Sequence, residues 1–126
     1  MTIVVVDDEP AIVRMCVQVL HAKGHVVHGF TRADEALAAL REMPADVVVV
    51  DYKMPEVSGL QFVRRAWELR PSLRVLLITA HGTREVRKEA NDLGVQTIVL
   101  KPFTPSELAE GLAAAVRDDG SPTRDA

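Results

Sequence analysis

Five short runs of apolar, mostly β-branched residues recur along the chain, and a segment of helical periodicity follows each. Such runs are typical of strands buried on both faces, because no polar residue alternates with the apolar ones. The third run is four consecutive valines that end on Asp51. The second run is more polar, which predicts a place at the edge of a sheet. The predicted strands cover residues 3–6, 25–30, 47–50, 75–78 and 96–100.

Apolar residues in the intervening segments recur at the spacing of amphipathic helices. In the first of these helices they occupy positions 13, 16, 17 and 20, and Gly24 is the predicted stop. We expect Thr31 to cap the second helix and either Thr104 or Ser106 to begin the last one. The third and fourth helices are predicted from about residue 59 to 70 and over 83–93.

Alternation of five strands with five helices predicts a parallel sheet that carries helices on both faces. An open doubly wound sheet and a closed barrel both satisfy this pattern, but an eight-stranded barrel needs about twice this length. The prediction is therefore an α/β fold with a five-stranded, doubly wound parallel sheet. In such sheets ligands bind outside the carboxyl ends of the strands, near a switch in strand order.

Composition narrows the class of protein further. The chain has 126 residues, of which 48% are hydrophobic, and this suits one domain, expected over residues 1–117, with 118–126 as a flexible tail or the start of a linker. A net charge of −3 argues against direct nucleic-acid binding. The single cysteine, Cys16, excludes an internal disulfide framework. No apolar run approaches the ~18 residues of a membrane span, so we expect a cytoplasmic protein that does not contact membranes.

Reactive side chains follow four of the five predicted strands. Asp7 and Asp8 follow the first strand, Asp51 the third, Thr79 the fourth and Lys101 the fifth. Carboxylates that meet at one edge repel one another unless a proton or a cation lies between them, and oxygen ligands of this kind suit Mg²⁺. A carboxylate such as Asp51 can act as a nucleophile and form an aspartyl-phosphate. A lysine and a threonine can then neutralise and hydrogen-bond phosphoryl oxygens.

Each of these residues also has an ordinary structural explanation. Asp7 and Asp8 could cap the first helix, and Asp51 or Thr79 could stabilise a turn. Lys101 could be a solvated surface charge. Their placement at four strand ends of one sheet favours a functional site over four unrelated structural roles.

In these motifs and their order the chain resembles the receiver domain of bacterial two-component response regulators, and specifically its chemotaxis-regulator-like members. The resemblance covers residues 2–117 and implies a flavodoxin-like strand order of 2-1-3-4-5. The motifs that carry it are the acid pair Asp7-Asp8, Asp51 within Asp-x-x-Met-Pro, Gly59, Thr79-Ala80 and Lys101-Pro102-Phe103.

The resemblance implies a Mg²⁺ site and a phosphoacceptor. Asp51 would accept a phosphoryl group from the phosphohistidine of a sensor histidine kinase or from a phosphotransfer protein. Asp8, Asp51 and the backbone carbonyl of Lys53 would hold the metal ion, with Asp7 contributing mainly through water. Such a domain is not an enzyme in the usual sense, although it assists its own phosphorylation and its slow dephosphorylation.

The same resemblance implies how the phosphoryl group is sensed. Thr79 and Lys101 would contact it, and the bond between Lys101 and Pro102 would be cis. The position where the family usually has a switch aromatic holds Ile98, so the loop at 79–83 is the expected route for the signal.

Two further residues are expected to modulate the site. Lys53 and His81 each lie two residues beyond a site residue, in positions that flank the phosphoryl group. We expect them to tune how long it persists.

A phosphorylated receiver would pass the signal to a downstream protein or to a fused output domain. Two alternatives are an aspartyl-phosphate phosphatase, which would need a second acid where Lys53 stands, and a receiver-like docking module that does not use phosphate. A zinc site built from Cys16 and the nearby histidines is not favoured, because their spacing spans a helix and an edge strand.

Overall fold

The computed structural model describes residues 1–117, which form five strands and five helices in strict alternation. The segment 118–126, predicted to be a tail or linker, lies outside the described residues. The elements are β1 Thr2–Val6, α1 Pro10–Ala22, β2 Val26–Phe30, α2 Ala33–Glu42, β3 Val47–Asp51, α3 Gly59–Leu69, β4 Arg74–Thr79, α4 Arg84–Leu93, β5 Thr97–Leu100 and α5 Pro105–Arg117.

All strand pairs are parallel, and the sheet has the order β2-β1-β3-β4-β5. The predicted doubly wound α/β fold and its strand order are therefore confirmed. The order reverses at β1, which pairs with β2 on one side and with β3 on the other. The switch point thus lies between the carboxyl ends of β1 and β3, where open sheets of this type bind ligands.

The valines of β3 lie at the centre of the sheet and are fully buried. Alternate residues of the strand face opposite sides, so Val48 and Val50 pack with α2 and α3 while Val47 and Val49 pack with α1 and α5. Two apolar layers therefore enclose the strand. This is the physical reason for an unbroken apolar run that shows no polar alternation.

Helix boundaries mostly follow the predicted signals, with one error. Gly24, the predicted stop of the first helix, lies just beyond α1 with a φ of 93°, and Thr104 caps α5 by accepting the backbone N–H of Glu107 at 3.1 Å. The prediction that Thr31 caps α2 is wrong, because Arg32 occupies the capping position and provides no side-chain cap. Ser106 lies inside α5 rather than at its start.

Strand β5 is less buried than its apolar sequence suggests. It pairs with β4 alone, and Leu100 at its carboxyl end is 45% exposed. This strand nevertheless delivers Lys101 to the same sheet edge as β1 and β3. Among residues 1–117, no helix combines the length and the apolar composition needed to cross a bilayer.

Candidate functional site

The carboxyl edge of the sheet brings the predicted site residues together. Asp51 and Thr79 are the last residues of β3 and β4, whereas Asp7 and Lys101 directly follow β1 and β5. Because all the strands are parallel, these positions meet at one edge, beside a cavity of about 340 Å³. The cavity is lined by Asp8, Glu9, Asp51, Lys53, Met54, Pro55, Ala80, His81 and Lys101.

Three carboxylates lie close together at this edge of the sheet. One oxygen from each of Asp7, Asp8 and Asp51 lies within 4.8 Å of the other two. Asp7 is completely buried and Asp51 is 5% exposed, whereas Asp8 faces solvent. Two buried acids beside a third, exposed one form a negative pocket that opens to the outside.

Lys101 provides a largely buried positive charge at the site. Its ammonium lies 2.8 Å from Asp7 Oδ2 and 3.5 Å from Asp51 Oδ1. It also donates a hydrogen bond of 3.0 Å to Glu9 Oε1. The side chain is only 11% exposed, so these interactions are weakly screened by solvent. The ammonium of Lys101 is therefore already in place to pair with an anionic ligand that enters the cavity beside Asp51.

The buried charges shift the pKa values of the cavity. Burial, followed by repulsion from Asp7, raises the pKa of Asp51 from 3.8 to about 6. Burial also raises the pKa of Asp7, despite its contact with Lys101. Burial lowers the pKa of Lys101, but its close contacts with the carboxylates of Asp7 and Glu9 outweigh this effect, and the net shift of the pKa is upward. The ammonium therefore stays charged across the physiological range, and the carboxylates repel one another as they ionise.

Thr79 connects the cavity to the loop that precedes α4. Its buried hydroxyl oxygen accepts the backbone N–H of His81 at 2.8 Å, and its carbonyl accepts the backbone N–H of Lys101 at 2.8 Å. The hydroxyl keeps its own proton available for donation. A ligand that accepts a hydrogen bond from this hydroxyl would therefore also affect the position of the loop, because the same hydroxyl oxygen holds the backbone N–H of His81.

Gly59 is required by the close approach of α3 to the end of β3. A Cβ atom at this position would collide with the carbonyl oxygen of Asp51, and it would lie 2.9 Å from Cα of Tyr52. The backbone N–H of Gly59 donates to the carbonyl of Tyr52 at 2.6 Å. The glycine of the sequence motif therefore allows α3 to begin in direct contact with the backbone of Asp51 and Tyr52.

The cavity residues fit a hard divalent cation. Asp7 Oδ2 is buried and accepts no hydrogen bond from any group within residues 1–117, although Lys101 lies nearby as an ion pair. An anionic oxygen left in this way is suited to a metal ion or to water held by one. An all-oxygen donor set with an open side matches the preference of Mg²⁺.

The structure brings most of the remaining predicted residues to the cavity, but not all. Lys53 and His81 are exposed and line it. The peptide bond between Lys101 and Pro102 is cis. Ile98 lies away from the cavity and packs, partly buried, against the core layer that contains Val86 of α4.

The cysteine and the histidines do not come together as a group of potential metal ligands in the described part of the chain. The group formed by Asp7, Asp8 and Asp51 is the one cluster of potential metal ligands among residues 1–117. Cys16 is buried in the core, and burial, with a smaller contribution from Asp7, raises the pKa of its thiol to about 12.

Two contacts of the site were missed by sequence reasoning. Glu9 pairs with Lys101 across 92 positions of the chain, and the hydroxyl of Tyr52 donates to Glu89 of α4 at 2.8 Å. The first had a signal, because Glu9 follows the acid pair directly. The second had none, since both residues are of types common on protein surfaces.

Comparison with known proteins gives one consistent result. Residues 3–113 match the family described as the response regulator receiver domain. A probable transcriptional regulatory protein, TcrX of Mycobacterium tuberculosis, is 36% identical over 98% of this chain and 53% of its own length. The chemotaxis protein CheY of Thermotoga maritima is 28% identical over 87% of this chain and 92% of its own.

Solved structures agree with the sequence relatives. Chemotaxis protein CheY4 of Vibrio cholerae superimposes with a TM-score of 0.85 at 27% identity, covering 90% of this chain and 97% of that one. A CheY-like receiver domain protein of Methanospirillum hungatei gives 0.86 at 25% identity, with 94% of both chains covered. The chain spans about half the length of several transcriptional regulators that it matches.

Proposed function

The chain belongs to the response regulator receiver domain family, and we propose from that membership that Asp51 is its phosphoacceptor. One observation carries the proposal: a buried carboxylate ends the central strand, with an ammonium 3.5 Å away and two further acids beside it. This arrangement supplies a nucleophile, a fixed positive charge and a set of metal ligands at one place.

The reaction transfers a phosphoryl group from a histidine or from a small phosphodonor. A carboxylate oxygen of Asp51 attacks phosphorus, the bond from phosphorus to the donor atom breaks, and the donor leaves with the electron pair. Positioning and charge neutralisation contribute most in such transfers.

Mg²⁺ would be held by Asp8, Asp51 and the carbonyl of Lys53, with Asp7 acting mainly through water. When bound, the ion neutralises charge on the phosphoryl oxygens and on the carboxylates. The chain's own contributions are the ammonium of Lys101, which pairs with a phosphoryl oxygen, and the hydroxyl of Thr79, which donates to another.

Phosphorylation would act on partners through the loop after β4. If the Thr79 hydroxyl turns toward the phosphoryl group, its hydrogen bond with the backbone of His81 is lost or weakened. The loop and α4 then adopt a second arrangement, and the balance between the two arrangements sets the affinity for partners. The expected partners are a sensor histidine kinase or phosphotransfer protein and a downstream protein or fused output domain, as in the longer relatives.

The two alternative functions are not favoured. A phosphate-independent docking module would not need five such residues gathered at one edge of the sheet, namely Asp7, Asp8, Asp51, Thr79 and Lys101. An aspartyl-phosphate phosphatase would need a second acid near Asp51, and its expected place holds Lys53, which lines the cavity with a positive charge.

Labelling with a small acyl phosphate or phosphoramidate tests the proposal. We expect the intact mass of the protein to rise by one phosphoryl group in the presence of Mg²⁺ and to stay unchanged with a chelator. Asp51→Asn should abolish labelling, whereas the control Asp92→Asn, which changes an exposed acid of α4, should not. A parent protein that is not labelled would overturn the proposal. Steady hydrolysis of free phosphate esters would favour the phosphatase.

A further inference from the structure

Glu9 lines the cavity at the carboxyl edge of the sheet and has no role in the mechanism described so far. It occupies the position before α1, where a side chain often caps the first turn of the helix, yet its carboxylate makes no such hydrogen bond. Instead, Oε1 accepts a hydrogen bond of 3.0 Å from Nζ of Lys101. The side chain of Glu9 is thus directed at the lysine rather than at its own helix.

The distances around Lys101 place its ammonium nearer to the acids that do not react. Asp7 and Glu9 lie at 2.8 and 3.0 Å, whereas Asp51 lies at 3.5 Å. Asp7 is fixed, because it is fully buried and also accepts the backbone N–H of Glu9. The carboxylate of Glu9 is 60% exposed. It can therefore turn toward solvent at little cost, which Asp7 cannot do.

We propose that Glu9 is a positioning residue that holds Lys101 away from the phosphoryl position until transfer begins. This inference rests on the proposed function of Asp51. To pair with an incoming phosphoryl oxygen, the ammonium must weaken at least one of its present contacts, and the contact with the exposed Glu9 is the one most easily released. Glu9 thus stabilises the unphosphorylated arrangement and slows the transfer.

Removing the charge of Glu9 should therefore accelerate phosphorylation. We expect Glu9→Gln to raise the maximal rate of phosphorylation by a small phosphodonor roughly two- to fivefold, the range of a partly exposed charge pair. Glu9→Ala, which removes the oxygen altogether, should give at least the same increase. Neither change removes a helix cap. The matched control is Glu35→Gln, which removes an exposed acid from the first turn of α2.

A double-mutant cycle shows whether the effect passes through Lys101. In a Lys101→Met background, Glu9→Gln should leave the residual rate unchanged. In Glu9→Gln alone, the donor concentration that gives half the maximal rate should stay within about twofold of the parent value. The Mg²⁺ Kd, measured by calorimetry, should also stay within about twofold. A Glu9→Gln effect that persists without the lysine, or a matching change in the Mg²⁺ Kd, would overturn the proposal, because Glu9 would then act on the donor or the metal ion.

A second readout does not depend on phosphorylation. Lys101 has acidic partners and little exposure, so its ammonium protons should exchange slowly enough to be seen by NMR of ¹⁵N-labelled side chains. We expect this signal to shift or broaden in Glu9→Gln and to be unchanged in Glu35→Gln. An identical signal in the parent and in Glu9→Gln would refute the positioning role. If the parent protein is not phosphorylated by the donor but Glu9→Gln still produces the expected NMR change, only the proposed function of Asp51 is refuted.

Discussion

Replacing Asp51 with asparagine should stabilise the metal-free protein, although it removes the residue on which the proposed function depends. Burial and repulsion from Asp7 raise the pKa of the Asp51 carboxyl from 3.8 to about 6 in the folded state. A raised pKa means that the folded state loses stability as pH rises from 3.8 through about 6, because the unfolded chain ionises this group more easily. Asparagine carries no charge and avoids that loss.

The size of the effect follows from the shift. About two pH units at ~1.4 kcal/mol each give a stabilisation on the order of 3 kcal/mol at pH 7.5. At pH 5 the folded Asp51 is mostly protonated, and the difference should fall to about half. Lys101 loses only its longest contact, at 3.5 Å, and keeps its contacts with Asp7 and Glu9. Because the attraction of Lys101 is already included in the net pKa shift of Asp51, the lost contact subtracts nothing further from the gain.

Urea unfolding in the presence of a chelator measures this difference directly. The free energy of unfolding of the parent, Asp51→Asn and the control Asp92→Asn would be compared at pH 7.5 and pH 5. The control, an exposed acid paired with Lys88, should change stability by less than about 1 kcal/mol at both pH values. The reasoning would be refuted if Asp51→Asn were no more stable than the parent at pH 7.5, or if its advantage did not shrink at pH 5.

Three further predictions concern other parts of the molecule. Gly59→Ala should cost about 1–3 kcal/mol in urea unfolding and slow labelling of Asp51, because its Cβ collides with the Asp51 carbonyl; equal stability would contradict the contact. Cys16, buried with a thiol pKa raised to about 12, should react with a disulfide reagent at pH 8 only in urea, and rapid reaction of the native protein would show that the thiol is accessible. Replacing Lys53 or His81 should change the rate of dephosphorylation without abolishing phosphorylation, and unchanged rates in both variants would remove their modulating role.

Much of the fold could be predicted because its signals are local. The valines before Asp51 are buried on both faces, and that requirement alone produces an unbroken apolar run. Parallel strands then place every strand end at one edge, so the convergence of Asp51 and Thr79 follows from topology without any knowledge of side-chain packing. The error at Thr31 was also local. The helix begins one residue later than its sequence suggests, with Arg32 at the capping position.

The contacts that sequence reasoning missed depend on distances between remote segments. Glu9 could equally have capped its own helix, and its pairing with Lys101 is decided by how β1 and β5 place the two residues around the cavity. The hydrogen bond from Tyr52 to Glu89 depends on where α4 packs. The acidic run that ends at Glu9 indicated that this residue lies near the site, but no local pattern encodes the distance of either contact.

The proposed function depends most on Asp51 being the residue that accepts the phosphoryl group, and chemical trapping tests this directly. An aspartyl-phosphate is reduced by borohydride to homoserine, which marks the acceptor in a peptide mass spectrum. After treatment with a small phosphodonor and Mg²⁺, we expect homoserine at position 51 and at no other acid of the cavity, and none when a chelator is present. Homoserine at Asp7 or Asp8, or its absence from position 51 in a labelled protein, would contradict the account.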